Sequence, residues 1–225
     1  MVVSVHVADL GIKSLLVRPP KPAQVAGLLQ ADVGLCADLG PGFVPRLNLR
    51  RLGMVAFWED QASLDGFLAS DHRAAKMASG WMATLQPIRA FGSWPGLPTE
   101  VPRSRDIDSE GPVVVTTLGK LKMSQARRFL STSAKAEARV LSAPGLRWST
   151  GFGSPPFVAT LSVWDSAQSV KDYAYGSDEG PEHPDAIDVD RAQPFHHRNA
   201  FIRFRPLSVS GSIDGISPIA AQELA

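Results

Sequence analysis

The run Met54-Val-Ala-Phe-Trp-Glu-Asp-Gln-Ala-Ser-Leu-Asp-Gly-Phe67 recurs without a gap as Thr160-Leu-Ser-Val-Trp-Asp-Ser-Ala-Gln-Ser-Val-Lys-Asp-Tyr173. Trp58 falls on Trp164, Glu59 on Asp165, Ser63 on Ser169 and Phe67 on Tyr173. Each copy reads as a strand ending in tryptophan, followed by oxygen-bearing side chains that cap a helix. Within the strands, Val55/Phe57 and Leu161/Val163 alternate onto one face, so each tryptophan belongs to the other face and is expected under the helix that follows it. A repeated strand-to-helix junction implies a duplicated structural unit.

Two further pairs extend the repeat. Gly34-Leu35 followed by Gly40-x-Gly42 is matched to Gly145-Leu146 followed by Gly151-x-Gly153, which aligns Gly42 with Gly153. Gly92-Ser93 recurs as Gly211-Ser212. Each copy is then read as six elements. Val2 to Ala8 and Val113 to Leu118 are β-branched runs and form the first strands. Pro22 to Gln30 and Ser124 to Leu141 have helix-forming compositions and form the first helices. The glycine-containing stretches are second strands ending in glycine-rich turns. Leu52 to Trp58 and Phe157 to Trp164 are third strands, Gln61 to Leu68 and Ala167 to Tyr175 second helices, and Pro87 to Trp94 and Ala200 to Ser210 fourth strands.

That order is the ferredoxin-like βαββαβ unit. One copy leaves a sheet face uncovered, whereas two close face to face. The expected fold is therefore α+β, with two fused ferredoxin-like repeats forming a dimeric-type α/β barrel around a ligand cavity. Residues 1–94 are the first repeat, 95–112 a linker rich in proline, 113–212 the second repeat and 213–225 a loose tail. The second repeat carries about 13 extra residues between its second helix and its fourth strand, near Ser177 to Asp190. Insertions beside a scaffolded cavity often carry function.

Composition narrows the function. Lys plus Arg number 23 against 22 for Asp plus Glu, and neither sign is concentrated, which disfavours a nucleic-acid face. Cys36 has no partner for an internal disulfide. The start lacks the basic n-region and small-residue cleavage site of a signal peptide, and no apolar run has bilayer length, so a cytoplasmic protein is expected. Transient contact with a membrane, to reach a greasy substrate, is compatible with this reading.

Five histidines are the candidates for chemistry. His6 lies in the first strand, His72 near the second helix, and His196 and His197 before the last strand. His183 stands in Gly180-Pro181-Glu182-His183-Pro184-Asp185-Ala186-Ile187 within the insertion. A residue before proline is pushed out of the helical region while proline favours the first helical position, so His183 is expected at a helix start. No zinc-ligand spacing, CxxC pair, nucleotide fingerprint or nucleophile elbow is present. Arg46, Arg50, Arg51, Arg203 and Arg205 either meet carboxylates or solvate the barrel rim. From the residues alone, a surface histidine in an acidic loop remains an open reading of His183.

Taken together, Gly42-Phe43, Arg46, Arg50-Arg51, Trp58-Glu59 and Gly92-Ser93-Trp94 in the first half resemble the spheroidene monooxygenase-like proteins of carotenoid pathways. The resemblance continues through Gly111-Pro112-Val113, Gly151-Phe152-Gly153, Leu161-Ser162-Val163-Trp164, Gly180-Pro181, His183, Ala186-Ile187, Arg191 and Arg203-Phe204-Arg205. It implies a haem-dependent monooxygenase that inserts oxygen into a C–H bond of a hydrophobic, carotenoid-like substrate. It also implies haem b as cofactor, O2 as co-substrate, a ferredoxin-like external electron donor and an iron held by His183. Glu182 or Asp185 would then orient the imidazole, and Arg191 and Arg203 would meet the haem propionates. His72, His196 and His197 remain alternatives for the axial ligand. A haem enzyme of another reaction class (a dehydratase or a peroxidase-like enzyme) and a cofactor-free oxygenase or small-ligand-binding barrel are the other expectations. Oligomerisation is compatible with all of them.

Overall fold

The computed structural model describes residues 1–40, 42, 45–104, 109–176 and 194–224. Eight strands, β1 (Val2–Asp9), β2 (Leu28–Asp38), β3 (Arg46–Trp58), β4 (Trp81–Gly92), β5 (Val113–Leu121), β6 (Leu146–Ser154), β7 (Phe157–Trp164) and β8 (His196–Ser210), close into an antiparallel barrel. Their order around the ring is β1-β3-β2-β6-β7-β5-β8-β4. The arcs β4-β1-β3-β2 and β8-β5-β7-β6 are the same four-strand arrangement, joined at the seams β2–β6 and β4–β8. Helices α1 (Gln61–Ser70) and α2 (His72–Met77) cover the first arc, and α3 (Ala126–Val140) and α4 (Ala167–Tyr175) accompany the second. The fold is the fused ferredoxin-like α/β barrel.

The repeated tryptophans set the registers. Val2 and Leu28 both lie opposite Trp58, and Val113 and Leu146 both lie opposite Trp164. Both indoles face outward under their own helix and are buried. Trp58 lies 5.0 Å from the Phe67 ring and donates to Ser4 Oγ at 2.9 Å. Trp164 lies 5.2 Å from Tyr173 and donates to Ser162 Oγ at 2.9 Å. The helix caps follow the repeat as well. The Asp60 carboxylate accepts from Ser63 N at 2.8 Å, and Ser166 Oγ accepts from Ser169 N at 3.1 Å. The hydrogen bonds from Ser63 hold the exposed Asp60 carboxyl below its ordinary range.

Several expectations need correction. Pro22 to Gln30 is not a helix: short 3-10 turns at Gly11–Leu16 and Pro22–Gln24 lead into β2, which already begins at Leu28. Pro19, Pro20 and Pro22 break any longer helix, and Gly27 turns the chain with φ +66°. Gly151-Phe152-Gly153 lies inside β6 rather than in a turn. The counterpart of Gly145 is Gly27, not Gly34. Both have positive φ, both have a helix-opening serine (Ser63 or Ser169) where a Cβ would stand, and both carbonyls accept from the residue after the tryptophan at 2.8 Å. Gly42 therefore does not correspond to Gly153. β3 and β4 begin earlier than expected, at Arg46 and Trp81.

The barrel interior is also not a ligand cavity among the described residues. Val55, Phe57, Leu161 and Val163 point inward with Val3, Val5, Trp81, Ile202 and Phe204, and they fill it. An eight-stranded barrel is about wide enough for side chains to meet at its centre. Trp94, at the end of the first repeat, and Leu97 and Val101 of the linker pack onto this core. So do Ile213 and Ile219, which makes residues 213–224 a packed segment rather than a loose tail. Arg147 fixes that segment by pairing with Glu223 at 2.7 Å. Among the described residues no helix is long and apolar enough to cross a membrane.

Truncating Trp58 or Trp164 to Ala should each cost about 3–5 kcal/mol by chemical denaturation, whereas a loss under about 1 kcal/mol would mean that the ring contributes little packing. A second prediction concerns His6, which is buried and bonded to Ser4 Oγ at 3.1 Å. Burial pushes its pKa from 6.5 down to about 4. The unfolded chain then binds the proton more readily than the folded one, so stability is complete above pH 6.5 and falls as pH drops toward 4. Relative to His6→Gln, the wild type should lose on the order of 3 kcal/mol across that window. Parallel stability curves for the two proteins would show that His6 is not held neutral.

Candidate functional site

The outward faces of the two arcs can be compared position by position, because strand registers fix three rows across each. In the first arc the rows are Ala31–Ala56–Ser4–Thr84, Val33–Met54–His6–Met82 and Leu35–Leu52–Ala8. In the second they are Ser149–Ser162–Val115–Arg203, Gly151–Thr160–Thr117–Phe201 and Gly153–Val158–Gly119–Asn199. Val33, Leu35 and Ala8 are thus replaced by Gly151, Gly153 and Gly119. Met54 and Ala56 are replaced by Thr160 and Ser162.

The first arc is filled. Leu64, Phe67, Ala74 and Met77 from α1 and α2 bury its floor, and Ala56 and Leu52 are essentially inaccessible. The second arc is hollow by comparison. Three side chains are missing from its floor, and Ser149, Val158, Thr160 and Ser162 are only half-buried. Among the described side chains of α3, Ala134 alone is buried, although the helix has a distinct apolar face. Among the described residues a groove is therefore left between the β5–β8 floor and α3, in the same half as the insertion.

Its walls come from both halves of the chain. Leu39, following β2, reaches over Gly151, where a Cβ would stand 3.3 Å from its Cδ2. Gly40 N–H donates to Glu137 Oε2 on α3 at 3.0 Å, and burial raises the Glu137 carboxyl above its ordinary pKa. Tyr173 OH donates to the Ala136 carbonyl at 3.4 Å, which ties α4 to α3. Burial pushes the Tyr173 phenol up to about 12, so it is a fixed donor rather than an acid–base group. At the far end Phe129 of α3 meets Phe195 at 6.0 Å and His196 at 5.2 Å, and Arg128 lies 4.4 Å over the Phe195 ring. The His196 ring lies directly over Gly119, where a Cβ would come within 2.5 Å of it.

The candidates read from the sequence separate clearly. Of the described histidines, His196 is in the groove. His6 is in the filled layer of the first arc, His72 is exposed at the start of α2 beside Asp71, and His197 is exposed on the far side of β8. Arg203 is buried in the first row of the groove floor, on the outward face of β8 opposite Val115. His183, Glu182, Asp185 and Arg191 lie outside the described residues. Arg50 and Arg51 meet carboxylates, Asp9 for both and Asp214 for Arg51 at 2.6 Å, while Arg205 bonds to Gln86 across the β4–β8 ladder. Gly119, Gly151, Gly153, Phe129 and Phe195 were missed as a set. The available signal was the i, i+2 spacing of Gly151 and Gly153, which in a strand places both on one face.

Comparison with known proteins follows this geometry. The chain is 31% identical over 184 residues to the spheroidene monooxygenase of Rubrivivax gelatinosus, covering 77% of this chain and 69% of that protein. It is 27% identical over 198 residues to the spheroidene monooxygenase of Rhodobacter capsulatus, covering 84% and 81%. No family model matches. Among solved structures, an aldoxime dehydratase in complex with butyraldoxime aligns over 93% of this chain and 78% of its own, at TM-score 0.46 and 8% identity. A monooxygenase-type protein from Fusobacterium nucleatum aligns over 93% and 94%, at TM-score 0.41 and 9% identity. The likeness in sequence extends over most of both halves, and the chain belongs to the spheroidene monooxygenase family of oxidoreductases.

Proposed function

We propose that this monooxygenase is haem-dependent, and that it inserts one oxygen atom into a C–H bond of a hydrophobic, carotenoid-like substrate held in the groove of the second arc. The observation that carries the proposal is the glycine-for-aliphatic exchange across the floor, Gly151, Gly153 and Gly119 for Val33, Leu35 and Ala8. Equal backbones with unequal side chains turn a packed layer into a binding surface.

The described residues fit haem b. A flat apolar macrocycle would find a floor thinned at Gly151 and Gly119, over which Leu39 and the His196 ring would have to give way, and apolar walls at Phe129 and Phe195. Its two carboxylates need cationic or hydroxyl partners, and the first row offers Arg203 with Ser149 and Ser162. In this proposal His183 would hold the iron, with Glu182 or Asp185 orienting its imidazole, and Arg191 would join Arg203 in meeting the haem carboxylates. When bound, the group supplies O2 activation, with two electrons drawn from a ferredoxin-like donor. One oxygen atom enters the C–H bond and the other leaves as water with two protons.

The chain's own contribution is orientation and dryness. Phe129, Phe195 and Leu39 exclude water from the apolar end of the groove, and the hydroxyl row at the other end fixes polar groups. The latch between Gly40 and Glu137 holds the first-half loop across the groove. His196 stands between the Phe129 and Phe195 rings over Gly119, at the same end of the groove.

Protein produced with ample haem should show a Soret band and consume O2 only with a reductant and a hydrophobic substrate. His183→Ala should fold normally yet lose haem, or show a shifted band that imidazole partly restores. His72→Ala and His197→Ala should leave the spectrum unchanged. Absence of a Soret band in the wild type would end the haem reading, and a native spectrum in His183→Ala would move the ligand elsewhere. A further variant locates the site: Gly151→Val installs the first arc's residue and should change stability by no more than about 1–3 kcal/mol. It should weaken haem uptake at least about tenfold, equivalent to about 1.4 kcal/mol. Unchanged uptake would place the cofactor outside the groove.

A further inference from the structure

Outside the groove, the most unusual surface is where β4 and β8 meet. Phe91 and Phe201 are direct cross-strand neighbours and are 64% and 46% exposed, so two phenyl rings stand side by side in water. Beside them lies an open depression of about 580 Å³ lined by Phe91, Gly92, Ser93, Arg103, His197, Arg198 and Asn199. Among these described lining residues there are two arginines and a histidine and no carboxylate. Lys120, the strand neighbour of Arg198, is also exposed. The chain as a whole is nearly neutral, with a formal net charge of +1, whereas the charged side chains among the described lining residues are all cationic.

The patch is continuous with the groove. Phe201 ends the second row of the groove floor and Asn199 ends the third, and Asn199 also lines the depression. A molecule entering the groove across β8 therefore passes the phenyl pair first. We infer that this face docks on an anionic lipid bilayer, with Phe91 and Phe201 inserted at the interface and Arg103 and Arg198 on lipid phosphates. The inference rests on the hydrophobic-substrate reading above, because a substrate dissolved in a bilayer must leave it along an apolar path.

Physical chemistry favours a lipid surface over an acidic protein. Exposed apolar rings ringed by cationic side chains are the composition of interfacial anchors, in which rings bury at the acyl boundary while arginines meet headgroups. Each cationic side chain near an anionic surface adds to the attraction, which decays within a Debye length of about 10 Å at 0.1 M salt. Two arginines and two rings give weak, salt-sensitive, reversible docking, which suits an enzyme that visits a membrane.

The test is sedimentation of the full chain with vesicles of phosphatidylcholine alone or mixed with phosphatidylglycerol, at low and high salt. Binding is expected to the mixed vesicles at low salt, with at least a fivefold weakening at high salt and little binding to phosphatidylcholine. Phe91→Ser with Phe201→Ser, and separately Arg103→Glu with Arg198→Glu, should each reduce the bound fraction at least fivefold while thermal unfolding is unchanged. Wild-type protein that stays in solution with mixed vesicles overturns the inference, as does equal binding by both double variants. Loss of an acidic electron-donor protein's binding in the variants, without vesicle binding by the wild type, would assign the face to that donor instead. Haem uptake measured on the same samples separates the two proposals: vesicle binding without haem retains the docking face and removes the haem reading, and the converse removes only the docking face.

Discussion

The mutual contact of side chains across an eight-stranded barrel constrains everything else in this molecule. Val55, Phe57, Leu161 and Val163, with Ile202 and Phe204, meet in the interior and fill it. Apolar area removed from water there stabilises the fold, at roughly 25 cal/mol for each Å² buried. The same contact removes the interior as a place for a ligand. Segments after β4 and β8 reinforce this, because Trp94 and Leu97 on one side and Ile213 and Ile219 on the other extend the packed core.

The inside is occupied, and on the outside of the sheet, beneath the helices, the two arcs have diverged. The first keeps large apolar side chains on both the sheet and the helices, and it holds His6 neutral by burial. The second substitutes glycines and hydroxyls on the floor and withholds large buried side chains from α3. Duplication thus separates two tasks that compete within one layer. Close packing maximises stability, and open volume admits a ligand, so a single layer cannot do both well. One arc is closely packed, and the other, among the described residues, is more open.

The groove is also not a property of the second half alone. Leu39 and Gly40 come from the first half, and the bond from Gly40 to Glu137 joins them to α3. The seams β2–β6 and β4–β8 bring these segments together. Gly34 illustrates how close the first seam is, since a Cβ there would fall within 2.4 Å of the Gly153 backbone. An isolated second repeat would therefore lack one wall of that groove.

Duplication, element order and fold class were legible in the chain because Trp58 and Trp164 sit at the same strand-to-helix junction, where period-two alternation and capping oxygens are local features. The burial of both indoles followed from the same pattern. Registers between strands were not legible, since pairing depends on partners distant in sequence. Gly145 was therefore matched to Gly34 when its structural counterpart is Gly27, and Gly151 and Gly153 were read as turn residues when they are floor. Pro22 to Gln30 misled because its composition suits a helix, while neighbouring prolines and the sheet's demand for a strand from Leu28 onward decide otherwise. The sequence by itself determined that two similar units exist and that they form a barrel. Tertiary structure alone decided that the barrel is full and that the open volume lies under α3 of the second arc. The reason is that free volume is set by which side chains meet across strands, and no single segment of sequence specifies that.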